Sequence, residues 1–140
     1  GIEARGVDVA SGELDVAEYE IIAGEVKKEF PNVSRVAITL RESRSADRNG
    51  WSAVLSGTTG FYRSRKYDID DIIDRVGGGD SFSAGLIFAL LEFPDDEARA
   101  LEFAVASSCL KHSIDGDFNL STRAEIDALL GGDGSGRVQR

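Results

Sequence analysis

Three consecutive glycines, Gly77-Gly78-Gly79, followed by Asp80 and a dense apolar run over residues 82–93, constrain this chain more than any other feature. Glycines entering a helix expose successive backbone N–H groups without side-chain obstruction, and the helix adds its positive dipole end, which together make an anion site. Taken alone, the glycines and Asp80 read more plainly as a flexible turn with an ordinary helix cap. The full string Asp74-Arg75-Val76-Gly77-Gly78-Gly79-Asp80-Ser81-Phe82-Ser83-Ala84-Gly85-Leu86 is more specific. A carboxylate beside an anion hole is the arrangement required when a base takes a proton from a hydroxyl that attacks a phosphoryl group.

The rest of the chain supplies a scaffold for this corner. Residues 15–30 place Tyr19, Ile22, Val26 and Phe30 on one apolar stripe, which predicts an amphipathic helix. Asp15 with Glu18 resembles a capping box at its start, and Pro31 stops it. Residues 33–40 alternate, with Val36, Ile38 and Leu40 on one face and Arg35, Ala37 and Thr39 on the other, as in a half-buried strand. After a polar loop, residues 51–56 and 61–69 read as strands around the turn Gly57-Thr58-Thr59-Gly60. The apolar run 82–93 predicts a buried helix. Past Pro94, the acidic cluster Asp95, Asp96 and Glu97 sits at the positive end of a helix running to about Lys111, with Ala98, Leu101, Ala104, Val105 and Ser108 inward. A last helix starts at Ser121 or Thr122, buries Ile126, Leu129 and Leu130, and ends at Gly131-Gly132. Helix, strands, then helices predict an α/β layered domain.

Composition narrows the function. A chain of 140 residues has room for one domain, and no apolar run approaches bilayer length, so no membrane partner is expected. With 16 basic and 25 acidic side chains the net charge is −9, which argues against sequence-independent nucleic-acid binding. The single cysteine, Cys109, reads as inert helix packing, and with no recognisable secretory signal a cytoplasmic location is expected. His112 is the only histidine, which excludes a multi-histidine metal cluster. There is no Gly-x-Ser-x-Gly, Walker A loop or Gly-x-Gly-x-x-Gly, so hydrolase and other nucleotide folds lose support. Trp51 and Phe61 read as strand core. The absence of methionine, even at Gly1, suggests a piece of a longer protein.

The string from Asp74 to Leu86 resembles the C-terminal signature of the ribokinase-like (PfkB) carbohydrate kinases, in which a Gly/Ala-rich triplet precedes Asp and small residues on a helix. Arg75 departs from the general signature, where a small residue, Pro or Thr is common, but the string is similar to the form in 2-keto-3-deoxygluconate kinases. Ala37-Ile38-Thr39-Leu40-Arg41-Glu42-Ser43 and Lys111-His112-Ser113-Ile114-Asp115-Gly116-Asp117-Phe118-Asn119-Leu120 point the same way.

The resemblance implies the C-terminal portion of a three-layer α/β/α fold, its central sheet containing a hairpin and packed by helices. Residues 1–130 would form a partial kinase domain without its N-terminal sugar-binding and lid part, and 131–140 a disordered tail. It implies ATP and a small-molecule sugar acid as partners, with Mg2+ and a monovalent cation such as K+, and leaves room for a homo-oligomer of the complete protein. Asp80 would be general base and substrate contact, and Gly77, Gly78 and Gly79 the anion hole. Thr39, Arg41, Ser43 and His112 would border ATP, Asp115 the substrate, and Asp74 the monovalent cation. Each has a plainer reading: Thr39 as an exposed strand end, His112 as a solvated helix end, Asp74 as a turn cap, and Asp115, Asp117 and Asn119 as a polar loop. The alternatives are another kinase of the family, of fructokinase or ribokinase type, and a non-catalytic α/β binding or assembly domain.

Overall fold

A computed structural model describes residues 16–43 and 48–132. The elements in chain order are α1 (Val16–Glu29), β1 (Val36–Ser43), β2 (Asn49–Ser56), β3 (Phe61–Arg63), β4 (Tyr67–Ile69), α2 (Gly78–Glu92), α3 (Glu97–Lys111) and α4 (Arg123–Gly131). Asp15, with the expected cap of α1, and residues 133–140 of the expected tail lie outside the described residues, whereas Gly131 closes α4 instead of opening the tail.

The sheet is antiparallel and centred on β2. β1 pairs along its whole length, from Val36 opposite Ser56 to Ser43 opposite Asn49. The other edge of β2 is shared by β3, with Leu55 opposite Tyr62, and β4, with Trp51 opposite Tyr67. The alternation read in residues 33–40 is realised: Val36, Ile38 and Leu40 are half-buried, whereas Ala37, Thr39, Arg41 and Ser43 are exposed. β2 is buried on both faces because α1 lies against one and α3 against the other. Trp51, Ala53, Leu55, Tyr67 and Ile69 face the main core with Phe82, Leu101, Val105 and Ile126, while Val54 points to the opposite side.

Other expectations change. The strand expected over 61–69 is two short strands, because the ladder stops at Ser64: its amide still donates to the Ala53 carbonyl at 2.9 Å, but its hydroxyl accepts from the Ala53 amide at 3.0 Å, and the next amide, of Arg65, turns to Oε1 of Glu102 at 2.8 Å. The run 82–93 is not a buried helix. α2 starts earlier, at Gly78, and leaves Ile87 63 % and Leu91 79 % exposed, since α3 covers one side of it and no described element covers the other. In α3, Ala98 faces outward and Ala100 takes the inward position.

Glu97, read as one of three acidic residues at a helix end, is instead a buried joint. Its carboxylate accepts from the amides and hydroxyls of both Thr58 and Thr59 and from Nε of Arg35 at 2.6 Å. A Cβ on Gly57 would overlap this carboxylate, so the turn can approach α3 only with glycine there. Burial raises the Glu97 pKa, but the Thr58 and Thr59 amides and the Arg35 guanidinium outweigh it and hold it at about 2.

Candidate functional site

The N-terminus of α2 is built by the segment that follows β4. Asp74 accepts from the Val76 amide at 2.9 Å through Oδ1 and from the Gly116 amide at 2.9 Å through Oδ2. These bonds hold its carboxyl below the usual range, against a smaller opposing effect of burial. Asp74 thus joins the turn before α2 to the loop after α3, which is the turn-cap geometry. Gly77 follows in the left-handed conformation, φ 76°, and a Cβ there would overlap the backbone carbonyl of Asp117. Both demands select glycine.

Gly78 is buried. A Cβ at this position would lie 3.3 Å from Cε1 of His112, and its carbonyl accepts from the Ser108 hydroxyl at 2.7 Å. Gly79 is exposed with open space around it. The amides of Gly79 and Asp80 belong to the first turn, where a helix offers no internal acceptor, and no side chain caps them. The Ser81 amide closes the first helical bond, to the Gly77 carbonyl at 2.8 Å. Asp80 is exposed, and its carboxylate has no partner among the described residues. The corner therefore presents an uncommitted carboxylate beside uncommitted amides at the positive end of a 15-residue helix.

Behind this corner the packing is close. Asn119 donates through Nδ2 to Ser81 Oγ at 2.6 Å and to Ser107 Oγ at 3.0 Å, and the two hydroxyls lie 3.2 Å apart. The loop after α3 is in this way pinned to both helices. Sequence reading put Asn119 in a loop that could close on substrate or cation and Ser108 on the inner stripe of its helix; their positioning role was hidden because their partners lie 38 and 30 positions away.

His112 is 2 % exposed, so it is not a solvated helix end. The last turn of α3 runs beneath the N-terminus of α2, and the imidazole sits between Gly78 and the Trp51 ring, whose centroid is 5.0 Å away. Its Nδ1 is 2.8 Å from the Ser108 carbonyl, which can only accept, so Nδ1 carries the proton and Nε2 of the neutral ring is an acceptor. Burial lowers its pKa, and the charges of Lys111, Arg75 and Arg41 add to this, against the bond to Ser108. Arg41 stands opposite Trp51 on the neighbouring strand, and so close to His112. Thr39 and Ser43 share the exposed face of β1 with it, and Asp115 is exposed next to the Gly116 amide that binds Asp74. Cys109 is buried, and burial pushes its thiol up to about 12, in keeping with inert packing.

No family model and no curated protein matches the chain. Solved structures do. A 2-dehydro-3-deoxygluconokinase from Thermotoga maritima is 44 % identical, with a TM-score of 0.77 over 83 % of this chain and 35 % of its own. The chain carries the fold of part of a PfkB-family carbohydrate kinase. A PfkB family carbohydrate kinase from Listeria grayi is 30 % identical at a TM-score of 0.69, covering 82 % of this chain and 34 % of its own. A protein from Enterococcus faecalis titled a putative 2-keto-3-deoxygluconate kinase is 26 % identical at 0.71, over 91 % and 36 %. The chain thus spans about a third of the length of the PfkB kinases it matches. Like them it combines strands with packed helices, and among the described residues no helix is long and apolar enough to cross a membrane.

Proposed function

We propose that the full-length protein is an ATP-dependent sugar kinase that phosphorylates the C6 hydroxyl of 2-keto-3-deoxygluconate. The observation that carries this reading is the pairing of an exposed, partnerless Asp80 carboxylate with the open first turn of α2 at Gly79. The Thermotoga maritima and Enterococcus faecalis names supply the substrate class.

In this reading Asp80 accepts the proton of the sugar hydroxyl as its oxygen forms the bond to the γ-phosphorus. The bond from that phosphorus to the β–γ bridging oxygen breaks, and ADP leaves with the electron pair. The Gly77–Gly79 turn opens the amides of Gly79 and Asp80, which hold the charge on the transferring group, where phosphoryl transfer is most sensitive. Thr39, Arg41, Ser43 and the neutral His112 border the nucleotide, and Asp115 lies on the substrate side. Among the described residues no three acidic, His or Cys side chains cluster to cage a metal. Mg2+ would therefore be held by the nucleotide phosphates it arrives with and not by a protein cage, and would supply charge neutralisation there. Asp74 would face a monovalent cation with a carboxylate that its two amide bonds keep ionised.

Asp80→Asn in the full-length protein is expected to lower turnover by about 10^2- to 10^4-fold with Mg-ATP affinity nearly unchanged. Near-normal turnover would remove Asp80 from the role of base. Turnover on fructose or ribose in preference to the keto-deoxy acid would move the protein to another branch of the family.

A further inference from the structure

Arg75 is the residue of the glycine string that neither the amides nor the base explains. It is exposed, immediately precedes the turn into α2, and reaches back to β2, where its Nη2 donates to Oδ1 of Asn49 at 3.4 Å. Asn49 is itself 1 % exposed, and its Nδ2 has no acceptor among the described residues. A buried amide donor without a partner is unfavourable, so Asn49 is poorly explained as packing. The two ends of its planar amide lie side by side. One is held by the guanidinium and the other is left to an acceptor arriving at the same end of β2.

Two further observations place charge here. Arg75 is bonded to Asn49, and Arg41 stands opposite Trp51, whose ring meets the His112 imidazole beside Gly78, so two guanidinium groups lie near the start of α2. They do so in a chain whose net charge is −9. The first-turn amides of α2 and two arginines suit a ligand with several negative oxygens better than one carrying a single charge, and the planar fork of arginine matches phosphate in a two-point contact.

We propose that Asn49 holds Arg75 as a cationic arm of the phosphate site, so that the guanidinium binds terminal phosphate oxygens of a nucleoside triphosphate whose other oxygens take the amides of Gly79 and Asp80. Arg75 is the binding residue and Asn49 its positioning residue, acting through the bond to Nη2 and offering Nδ2 to the same ligand. This inference rests on the kinase reading above, and it names the residue that reads the nucleotide's charge.

The test is calorimetry with Mg-ATP on the full-length protein, which needs no turnover, together with KM values for ATP and for the sugar acid. Arg75→Gln is expected to weaken Mg-ATP binding about 10- to 100-fold, with Arg75→Lys in between, while the KM for the sugar acid moves by less than about twofold. Asn49→Leu is expected to weaken binding about fivefold when Arg75 is present and by clearly less in the Arg75→Gln background, where only the Nδ2 contact is left to lose. An Arg75→Gln protein that binds Mg-ATP normally, or whose loss falls on the sugar acid alone, overturns the arm. Equal losses from Asn49→Leu in both backgrounds overturn its positioning role. Should Asn49→Leu not fold, the exposed Arg75 variants still decide the arm. Failure of the unaltered protein to bind Mg-ATP would instead overturn the kinase reading itself.

Discussion

Two carboxylates stand at the starts of two packed helices, each beside a glycine-containing turn, and they have opposite fates. Glu97 opens α3 with its side chain 2 % exposed and is bonded by two threonines and an arginine. Asp80, in the first turn of α2, is exposed and has no partner among the described residues. The difference lies in the neighbouring turn. Gly57-Thr58-Thr59-Gly60 folds onto Glu97 and brings its own donors, whereas Gly77-Gly78-Gly79 brings no side chain and leaves open space at Gly79. A carboxylate whose acceptor capacity is filled is fixed in place and chemically idle. One that is left unfilled beside free amides is available to a hydroxyl.

Exchanging the readouts of the two residues gives the largest effects. Asp80→Asn should remove most turnover and leave the melting temperature within a degree or two. Glu97→Gln should leave the chemistry of the site untouched and cost about 3 kcal/mol of stability, because one neutral oxygen and one amide replace an acceptor matched to five donors. Denaturant unfolding with steady-state kinetics on both variants checks the pair, and loss of stability in the Asp80 variant would break the comparison. The turns offer a second, smaller contrast. Gly57→Ala pushes a Cβ into the Glu97 carboxylate and is expected to destabilise by roughly 1–3 kcal/mol, whereas Gly79→Ala meets open space and is expected to be neutral or slightly stabilising. The same Gly79→Ala change should still weaken Mg-ATP, since a methyl group then stands before the amides.

Acid provides the next test. The Glu97 carboxyl titrates at about 2 in the folded chain against 4.5 for the unconstrained group, so its contribution is complete above about 4.5 and is lost as the pH falls toward 2. Glu97→Gln should flatten the stability profile over that window. His112 acts at milder pH and with the sign appropriate to a buried base. Its folded pKa lies below 6.5, so the unfolded chain takes up the proton first and stability falls as the pH drops below 6.5. Stability profiles of His112→Asn and the unaltered protein should therefore converge on the acid side. A profile indifferent to His112 would contradict its burial.

Local signals in the sequence were the readable ones. The alternation of β1 and the start of α4 appear as expected, the latter as a capping box in which Thr122 accepts from the Glu125 amide and the Glu125 carboxylate accepts from the Thr122 amide. The glycine string marked the candidate site because its chemistry is contiguous. What was hidden depends on partners far along the chain. Glu97 looked like one member of an acidic cluster because its donors are 38, 39 and 62 positions away. His112 looked solvated because nothing in its own segment shows that α2 crosses it. The exposed side of α2 was equally illegible, since an all-round apolar helix reports how much of its surface wants cover and not which segment provides it.

The position of Trp51 has a practical consequence. It is the single tryptophan of the 140 residues, and its ring lies 5.0 Å from the imidazole that touches Gly78. The indole is therefore an intrinsic optical probe seated one side chain from the start of α2, so its emission should register events there without any added label.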